Sequence, residues 1–282
     1  MTYPIKTLKG EDIPEYLREI PTAPKALFLK GELPTDSICL TVVGPREYTE
    51  YGRKVCETLI YSLSSYPIVI VSGLALGIDT KAHEAAISAG LKTIAIVGSG
   101  IDHESIYPRT NVPLAEKILK SGGAVMSEYK EGTKVARYHF PNRNRLLAGI
   151  SQATLVIEAE EKSGTLITAR LAVDYNRDVL TVQQSIFSPT SKGVQWLLKN
   201  GATPVSSGED IAEILGIEKK KQIDTDLTDD EKIVINLLNK PKTRDDICEE
   251  SKMSAERVSR ALGSLEIKGC VEEKLGMVHS LI

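Results

Sequence analysis

The sequence has no run of about 18 consecutive apolar residues, so we expect no helix that crosses a membrane. Its first residues have neither the basic start nor the apolar stretch of a signal peptide. The 4 cysteines lie far apart, with no pair at the spacing of metal ligands. We therefore expect a cytoplasmic protein with reduced cysteines, no metal ion and no membrane partner.

An excess of positive charge is also lacking, since the formal net charge at pH 7 is -3. Residues 224–282 hold 13 acidic and 9 basic side chains, which leaves the remainder of the chain at +1. A polyanion therefore has to be bound by a local pocket rather than by the field of the whole protein. A Walker-type glycine-lysine loop is missing as well, so the sequence does not support ATP hydrolysis.

What the sequence does contain is a regular alternation of short apolar runs and helical stretches. Runs of this kind are typical of strands buried on both faces, and their alternation with helices predicts an α/β fold with a doubly wound, mostly parallel sheet. The predicted strands are 38–43, 68–71, 93–97, 124–126, 153–159 and 178–182.

Composition divides the chain into four parts. Residues 1–35 contain prolines spaced too closely for long regular elements, and we expect a lead-in packed on a large domain, 36–217. Residues 218–226 have almost no apolar content and are predicted to be a linker. Residues 227–282 predict three helices and a hairpin, which is a winged helix. Its third helix, 254–268, has mixed charge, which favours contact with protein over duplex DNA.

Two glycine turns follow predicted strands. Small side chains allow backbone N–H groups to face a bound anion, and a helix start adds to the attraction. Since both turns are predicted at the same edge of the sheet, they suggest one shared phosphate-binding groove. The turns are Gly98-Ser99-Gly100, which precedes Tyr107-Pro108-Arg109 and a helix start near Asn111, and Ser163-Gly164-Thr165.

Charged residues also occupy predicted strand ends and helix starts. Arg46 follows the first strand, at the edge where open α/β sheets bind ligands. Asp79 is predicted to cap a helix. Pro141 is predicted to begin another helix, with Arg143 and Arg145 in its first turn, where cations need a compensating anion. Because residues two apart point in different directions, we expect Arg143 to face a ligand and Arg145 to form a structural salt bridge.

Taken in order, these motifs resemble the DNA-processing protein A family, also called DprA or Smf. The resemblance extends from about residue 4 to 216 and then into a winged helix. The residues that carry it are Ser72-Gly73-Leu74-Ala75-Leu76-Gly77-Ile78-Asp79 with His83, Gly98-Ser99-Gly100 with Tyr107-Pro108, Ser127-Glu128, Phe140-Pro141-Asn142-Arg143-Asn144-Arg145, and Ser163-Gly164-Thr165.

The resemblance implies an extended Rossmann-like core and a homodimer that binds single-stranded DNA in a basic pocket. It also implies loading of RecA recombinase onto that strand, which protects incoming DNA and starts recombination in natural transformation. Neither catalysis nor a cofactor is expected. The implied DNA-binding residues are Arg46, Gly98, Ser99, Gly100, Tyr107, Arg109, Asn111, Asn142, Arg143, Ser163, Gly164 and Thr165.

A base could stack on an aromatic ring near the same site, because stacking tolerates any sequence. For Phe140, packing in the core is the alternative. The candidate rings are those of Tyr107, Tyr138, His139 and Phe140.

Two departures from the family pattern leave other functions open. Val182-Gln183-Gln184 stands where the family has a Val-Pro-Gly type of turn, and Gly193-Val194-Gln195 replaces a Gly-Cys-Asn or Gly-Thr-Asn sequence. The alternative is a nucleotide sensor, or an enzyme like the phosphoribohydrolases, although Thr168 occupies the position of their catalytic glutamate. A dinucleotide-dependent oxidoreductase is less well supported, since His103 replaces the third glycine of its fingerprint.

Overall fold

The apolar runs of the sequence become the strands of one sheet in a computed structural model of the chain. The structure describes residues 3–34, 38–219, 227–238, 240–274 and 276–280. The chain divides after Glu218 into two units. Most of the predicted linker, residues 220–226, lies outside the described residues.

The first unit contains a sheet of nine strands. All residues of the strands at 68–72, 93–96, 124–127 and 153–156 are buried, as expected for a sheet covered on both faces. The strands are β1 (Lys6–Leu8), β2 (Leu27–Gly31), β3 (Ile38–Val43), β4 (Ile68–Ser72), β5 (Thr93–Ile96), β6 (Ala124–Ser127), β7 (Ala153–Val156), β8 (Asp178–Thr181) and β9 (Thr203–Pro204).

Helices of the same unit cover both faces of the sheet. On one face Leu147 and Leu166 join the apolar core, and on the other Leu59 and Ile211 do so. This arrangement confirms the predicted doubly wound α/β fold. The helices are α1 (Glu15–Arg18), α2 (Glu50–Ser62), α3 (Ile78–Ser88), α4 (Val112–Lys120), α5 (His139–Ile150), α6 (Gly164–Asp174), α7 (Ser191–Lys199) and α8 (Gly208–Leu215), with 3-10 turns at Gly10–Asp12 and Arg109–Asn111.

The order of the strands determines where a ligand can bind. It runs β1-β2-β6-β5-β4-β3-β7-β8-β9, and every pair from β6 to β9 is parallel. The chain first builds outward from β3 through β4 and β5, and then returns to place β7 on the other side of β3. The loops that leave β3 and β7 therefore diverge and open a crevice at the carboxyl edge, which is where open α/β sheets bind ligands.

The proline-rich N-terminal segment differs from the expected lead-in, because it extends the sheet itself. β2 pairs antiparallel with β6, with Phe28 opposite Ser127, and β1 pairs antiparallel with β2. Pro14, Pro21 and Pro24 fall between these two strands, and Pro34 follows the second. Since proline cannot donate to a strand ladder, short strands separated by prolines at this side of the sheet are compatible with the composition.

The second unit is the expected winged helix. Its core contains Val234, Ile247 and Leu262. Two arginines of its third helix pair with acids, Arg257 with Asp230 and Arg260 with Glu256. The elements are α9 (Asp229–Leu237), α10 (Arg244–Ser251), α11 (Ala255–Ile267), β10 (Val271–Lys274) and β11 (Met277–Ser280). Among the described residues of the two units, no helix combines the length and hydrophobicity needed to span a bilayer.

Candidate functional site

A cleft of about 480 Å³ lies at the crevice between the loops that follow β3 and β7. We call it the switch-point cleft. Its walls come from the β3–α2 loop, the β7–α6 loop and the helices α5 and α6. The lining residues are Val43, Gly44, Pro45, Arg46, Glu47, Ala75, Asp79, Phe140, Arg143, Asn144, Leu147, Glu160, Lys162, Ser163, Gly164, Thr165 and Thr168.

Arg46 is an exposed cation of this cleft, and its side chain also contacts an aromatic ring. Its guanidinium carbon lies 5.3 Å from the centroid of the Phe140 ring. The Tyr107 ring is next to Phe140, with the two centroids 6.1 Å apart. No carboxylate among the described residues lies within ion-pair distance of Arg46. The guanidinium therefore remains available to an anion while one of its faces is covered by a ring.

The main chain on either side of Arg46 is held by its neighbours. The amide of Ile78 donates to the carbonyl of Pro45 at 3.2 Å. Gly77 makes this contact possible with a φ of 93°, since a Cβ at that position would lie 2.2 Å from the Pro45 oxygen. A side chain there would force the β3–α2 loop to move. The glycine of the Leu76-Gly77-Ile78 segment thus supports the position of Arg46.

Arg143 lies at the floor of the cleft, where little of the side chain that we expect to face a ligand is accessible. α5 begins at His139, so Arg143 is in its second turn rather than in its first. The side chain is 6% exposed, and Nη1 donates to the carbonyl of Ile96 at 2.8 Å. Arg145 forms the expected salt bridge, with Glu128.

Asp79 is the counter-charge of Arg143, and its predicted role as a helix cap is wrong. Gly77 is the N-cap residue of α3, and Asp79 lies in the first turn. Its carboxyl group accepts from the amide of Gly73 at 3.1 Å. Burial raises the pKa of Asp79, and the charge of Arg143 opposes that shift. The two opposite charges offset each other in the interior without a direct salt bridge, so Arg143 adds little free positive charge to the cleft.

The second predicted glycine turn opens onto the cleft. Ser163 is the N-cap residue of α6, but its side chain makes no capping hydrogen bond and its buried Oγ has no partner among the described residues. Thr165 is 7% exposed and also lines the cleft. The first amides of a helix lack internal partners and carry partial positive charge. The start of α6 is therefore suited to an anion.

Lys162 was not identified from the sequence, although it immediately precedes this turn. It is exposed, lines the cleft and has no ion-pair partner among the described residues. The signal that could have revealed it is its position directly before the glycine turn. Arg46 and Lys162 thus give the cleft two cations that need an external anion.

The first predicted glycine turn does not join the shared groove. β5, which precedes it, is separated from β3 by β4. Ser99 is fully buried and its hydroxyl donates to the carbonyl of Gly100, while the Gly100 amide donates to the carbonyl of Thr133 at 2.9 Å. Gly98 instead lines a small hollow beside the cleft, together with Tyr107, Arg46 and Phe140.

Three further predicted site residues lie outside the cleft lining. Asn111 is buried, and its Nδ2 donates to the carbonyl of Leu74 at 2.9 Å and to the hydroxyl of Thr80 at 2.8 Å. This side chain joins two loops instead of facing solvent. Arg109 is exposed and donates to the carbonyl of His103. Asn142 is exposed and forms a hydrogen bond with Tyr129.

The four candidate stacking rings differ in accessibility. His139 is 4% exposed, its Nδ1 donates to the carbonyl of Gly98 at 2.9 Å, and its ring centroid lies 3.8 Å from that of Tyr129. Phe140 is half-buried, while Tyr107 and Tyr138 are exposed. Since Phe140 and Tyr107 border both the hollow and Arg46, these two rings form the aromatic part of the site.

The residue at the position of the phosphoribohydrolase glutamate lines this cleft but has no carboxylate. Thr168, which replaces the glutamate of the phosphoribohydrolases, is 2% exposed and its hydroxyl donates to the carbonyl of Gly164 at 3.4 Å. The acids that line the cleft are Glu47, Asp79 and Glu160. Within the described part of the chain, no group of three histidine, cysteine or acidic residues is arranged to hold a metal ion.

Comparison with known proteins finds matches to both units of the chain. Residues 5–216 match the family described as DNA recombination-mediator protein A, and residues 218–277 match the DprA winged helix domain. The DNA processing protein DprA of Streptococcus pneumoniae is 40% identical over 210 residues, which cover 74% of this chain and 73% of that protein. Protein Smf of Escherichia coli is 39% identical over 207 residues, which cover 73% of this chain and 55% of that protein.

Solved structures agree with the sequence matches. The crystal structure of DprA from Streptococcus pneumoniae superimposes with a TM-score of 0.69 at 39% identity, covering 76% of this chain and 74% of that one. DNA processing protein A from Helicobacter pylori, whose structure was described for its single-stranded DNA binding mode, has a TM-score of 0.67 at 29% identity. That match covers 76% of this chain and 96% of the other.

Proposed function

This chain belongs to the DNA recombination-mediator protein A family, and from that premise we propose that it binds single-stranded DNA in the switch-point cleft. The observation that carries the proposal is the pairing of the unpartnered guanidinium of Arg46 with the open start of α6 across one crevice. Both are suited to phosphate oxygens, and neither reads a base.

The phosphates of the strand are assigned to two places. Arg46 and Lys162 supply charge, and the amides at the start of α6, with the hydroxyls of Ser163 and Thr165, supply hydrogen-bond donors. Because Asp79 already balances Arg143, the free positive charge is small and localised. We therefore expect affinity that depends on salt and that comes from a few phosphate contacts.

Bases are assigned to the rings of Phe140 and Tyr107. These rings lie next to Arg46, so one strand can place a phosphate on the guanidinium and an adjacent base on an aromatic face. Stacking of this kind requires an unpaired base whose face is free. The same arrangement discriminates against a duplex, in which the bases are stacked on one another.

The wider role that we propose is the protection of incoming DNA and the loading of RecA recombinase onto it by a homodimer in the cytoplasm. Membership of the family and the single-stranded DNA binding named for the Helicobacter pylori relative support it. The proposal assigns no reaction and no cofactor to the cleft. Arg109, Asn111, Asn142, Ser99 and Gly100 are given no direct DNA contact, since neither the cleft nor the hollow beside it is lined by them.

The test is a titration of labelled oligo-dT and of a duplex of equal length at several salt concentrations. Preferential binding of the single strand, with affinity that falls as salt rises, is the expected result. Equal binding of both forms, or no salt dependence, would contradict the proposal. A second assay adds RecA and strand coated with single-strand-binding protein, and faster RecA filament formation in the presence of this protein is expected.

A further inference from the structure

A buried carboxyl group beside the cleft has no role in the function described so far. Glu158 is fully buried two residues after β7, at the carboxyl edge of the sheet. No lysine, arginine or histidine among the described residues pairs with it. A buried acid without a basic partner is costly unless hydrogen bonds compensate for the lost water.

The two donors of Thr49, together with the nearby hydroxyl of Thr190, supply that compensation. The backbone amide of Thr49 donates to Oε2 at 3.0 Å, and the hydroxyl of Thr49 donates to Oε1 at 2.5 Å. The hydroxyl of Thr190 lies 3.1 Å from the same Oε1. Thr49 is the N-cap residue of α2, so the carboxyl group also faces the positive end of a helix of 13 residues.

These contacts fix the far end of the loop that carries Arg46. On the near side the Pro45 carbonyl is held by the amide of Ile78, and on the far side Thr49 is held by Glu158 at both its amide and its hydroxyl. Only Arg46, Glu47 and Tyr48 lie between the two anchors. The main chain of a three-residue segment held at both ends has little freedom to move. The point from which the Arg46 side chain extends is therefore held in place.

We propose that Glu158 is a positioning residue for Arg46, and that it sets the guanidinium over the cleft without touching DNA. This proposal rests on the function proposed above, since it concerns how the phosphate-binding arginine is held. Without the carboxylate the Thr49 end of the loop is free, while the protein remains folded. Ordering the loop on DNA binding then costs free energy, which offsets the gain from the contact of Arg46 with DNA.

The hydrogen bonds around Thr190 connect a second loop to the same carboxyl group. The Thr190 hydroxyl also lies 2.9 Å from Oε1 of Gln184, whose Nε2 donates to the carbonyl of Ile157 at 2.9 Å. Gln184 belongs to the Val182-Gln183-Gln184 segment that departs from the family pattern. In this chain a glutamine side chain therefore ties the β8–α7 loop to the residues around Glu158.

The test is a double-mutant cycle on the full-length chain with labelled oligo-dT. Glu158→Gln keeps the shape of the side chain but presents an amide to the Thr49 N–H. We expect it to weaken binding by roughly three- to tenfold in the wild-type background and to have no further effect in the Arg46→Ala background. It should also reduce the slope of affinity against salt by about one, as loss of one phosphate contact does.

Asp210→Asn is the matched control, because Asp210 is also a carboxyl group at a helix start, in the capping box of α8, and it is not part of the cleft lining. It should lower thermal stability and leave DNA affinity unchanged. If Glu158→Gln weakens binding equally in both backgrounds, or leaves it unchanged, the positioning role is overturned. If Arg46→Ala itself has no effect, the proposed cleft is wrong instead.

A second pair of variants covers the case in which Glu158→Gln does not fold. Thr49→Ser keeps the hydroxyl that joins Glu158 to the start of α2, whereas Thr49→Val removes it. We expect wild-type affinity for the serine variant and the three- to tenfold loss for the valine variant. Equal affinity of two folded variants would overturn the proposal.

Discussion

Arg143 and Asp79 converge beneath Gly73: a Cβ at Gly73 would lie 1.6 Å from Nη1 of Arg143 and 2.6 Å from Oδ2 of Asp79. The glycine therefore leaves the space in which the two charged groups approach each other at the floor of the cleft. The pair explains why an arginine that the sequence assigns to DNA is 6% exposed in the structure. It also separates the two arginines of the cleft into one that supports the fold and one that is free to bind.

Arg143→Ala is accordingly expected to affect stability before it affects binding. Removing the guanidinium leaves the Asp79 carboxyl group buried without its counter-charge, which typically costs about 3–5 kcal/mol. The expected result is a lower midpoint in urea unfolding. The double variant Arg143→Met with Asp79→Asn should recover part of that loss. A single variant as stable as the wild type would contradict this reading of the pair.

Arg46→Ala is expected to behave in the opposite way. The side chain is exposed and unpaired among the described residues, so the unfolding midpoint should hardly change. Affinity for oligo-dT should fall by about 1–3 kcal/mol, and the salt slope should decrease by about one. Arg53→Ala is the control, because Arg53 lies on α2 and pairs with Glu50 and Glu57. Equal losses in both variants would show that only overall charge matters.

Phe140→Ala tests the aromatic part of the site. Loss of one stacked base should weaken binding by about 1–3 kcal/mol, and it should do so without changing the salt slope, because no phosphate contact is removed. Phe140→Tyr should bind like the wild type. Quenching of the fluorescence of 2-aminopurine in the oligonucleotide would report the stacking directly, and unchanged fluorescence on binding would argue against it.

His83 is expected to make the first unit sensitive to acid. It is fully buried, and its Nδ1 donates to the Thr93 hydroxyl at 2.7 Å, since that hydroxyl uses its own proton on the Ile70 carbonyl. Burial, with a smaller effect from the charge of Arg143, lowers the pKa of His83 to about 3.

The direction of the change in stability with pH follows from the protonation of His83 in the folded and the unfolded chain. Below its ordinary pKa of about 6.5 the unfolded chain gains a proton, and the folded chain gains none until the pH approaches about 3. Stability is therefore lost as pH falls through this window. His83→Gln should flatten the dependence of the urea midpoint on pH, whereas His103→Gln, at an exposed position, should not. Identical profiles for wild type and His83→Gln would refute the assignment.

Glu231 makes the stability of the winged helix depend on pH over a different range. Burial opposes its ionisation, but hydrogen bonds from Lys268, Ser264 and the Thr228 amide outweigh burial and lower the pKa to about 2. The stabilisation is complete above the ordinary value of about 4.3 and is lost as pH falls towards 2. Lys268→Met should move the acid transition of this unit to higher pH, measured by the amide signals of α9 and α11. An unchanged transition would contradict the role of this ion pair.

Local patterns were enough to predict the architecture. The β-branched runs at Ile38–Val43 and Ile68–Ser72 are buried over most or all of their residues, as their composition predicts for parallel strands. The boundaries of helices were less certain: α5 begins two residues before Pro141, because tertiary contacts such as that of His139 with Gly98 extend it. Strands β1 and β2 are not predicted from the sequence, because β2 is stabilised by β6, which is distant in sequence, and β1 pairs with β2.

The sequence by itself determined the family, the fold class and the presence of a glycine turn and an arginine at strand ends, because these depend on residue type and local spacing. Only the tertiary structure decided which of them share a cleft. The reversal of strand order between β3 and β7 brings Arg46 to the start of α6, and it leaves Ser99, Gly100 and Asn111 as internal hydrogen-bonding residues. Burial and the pairing of charges are properties of three-dimensional neighbours, which spacing along the chain does not specify.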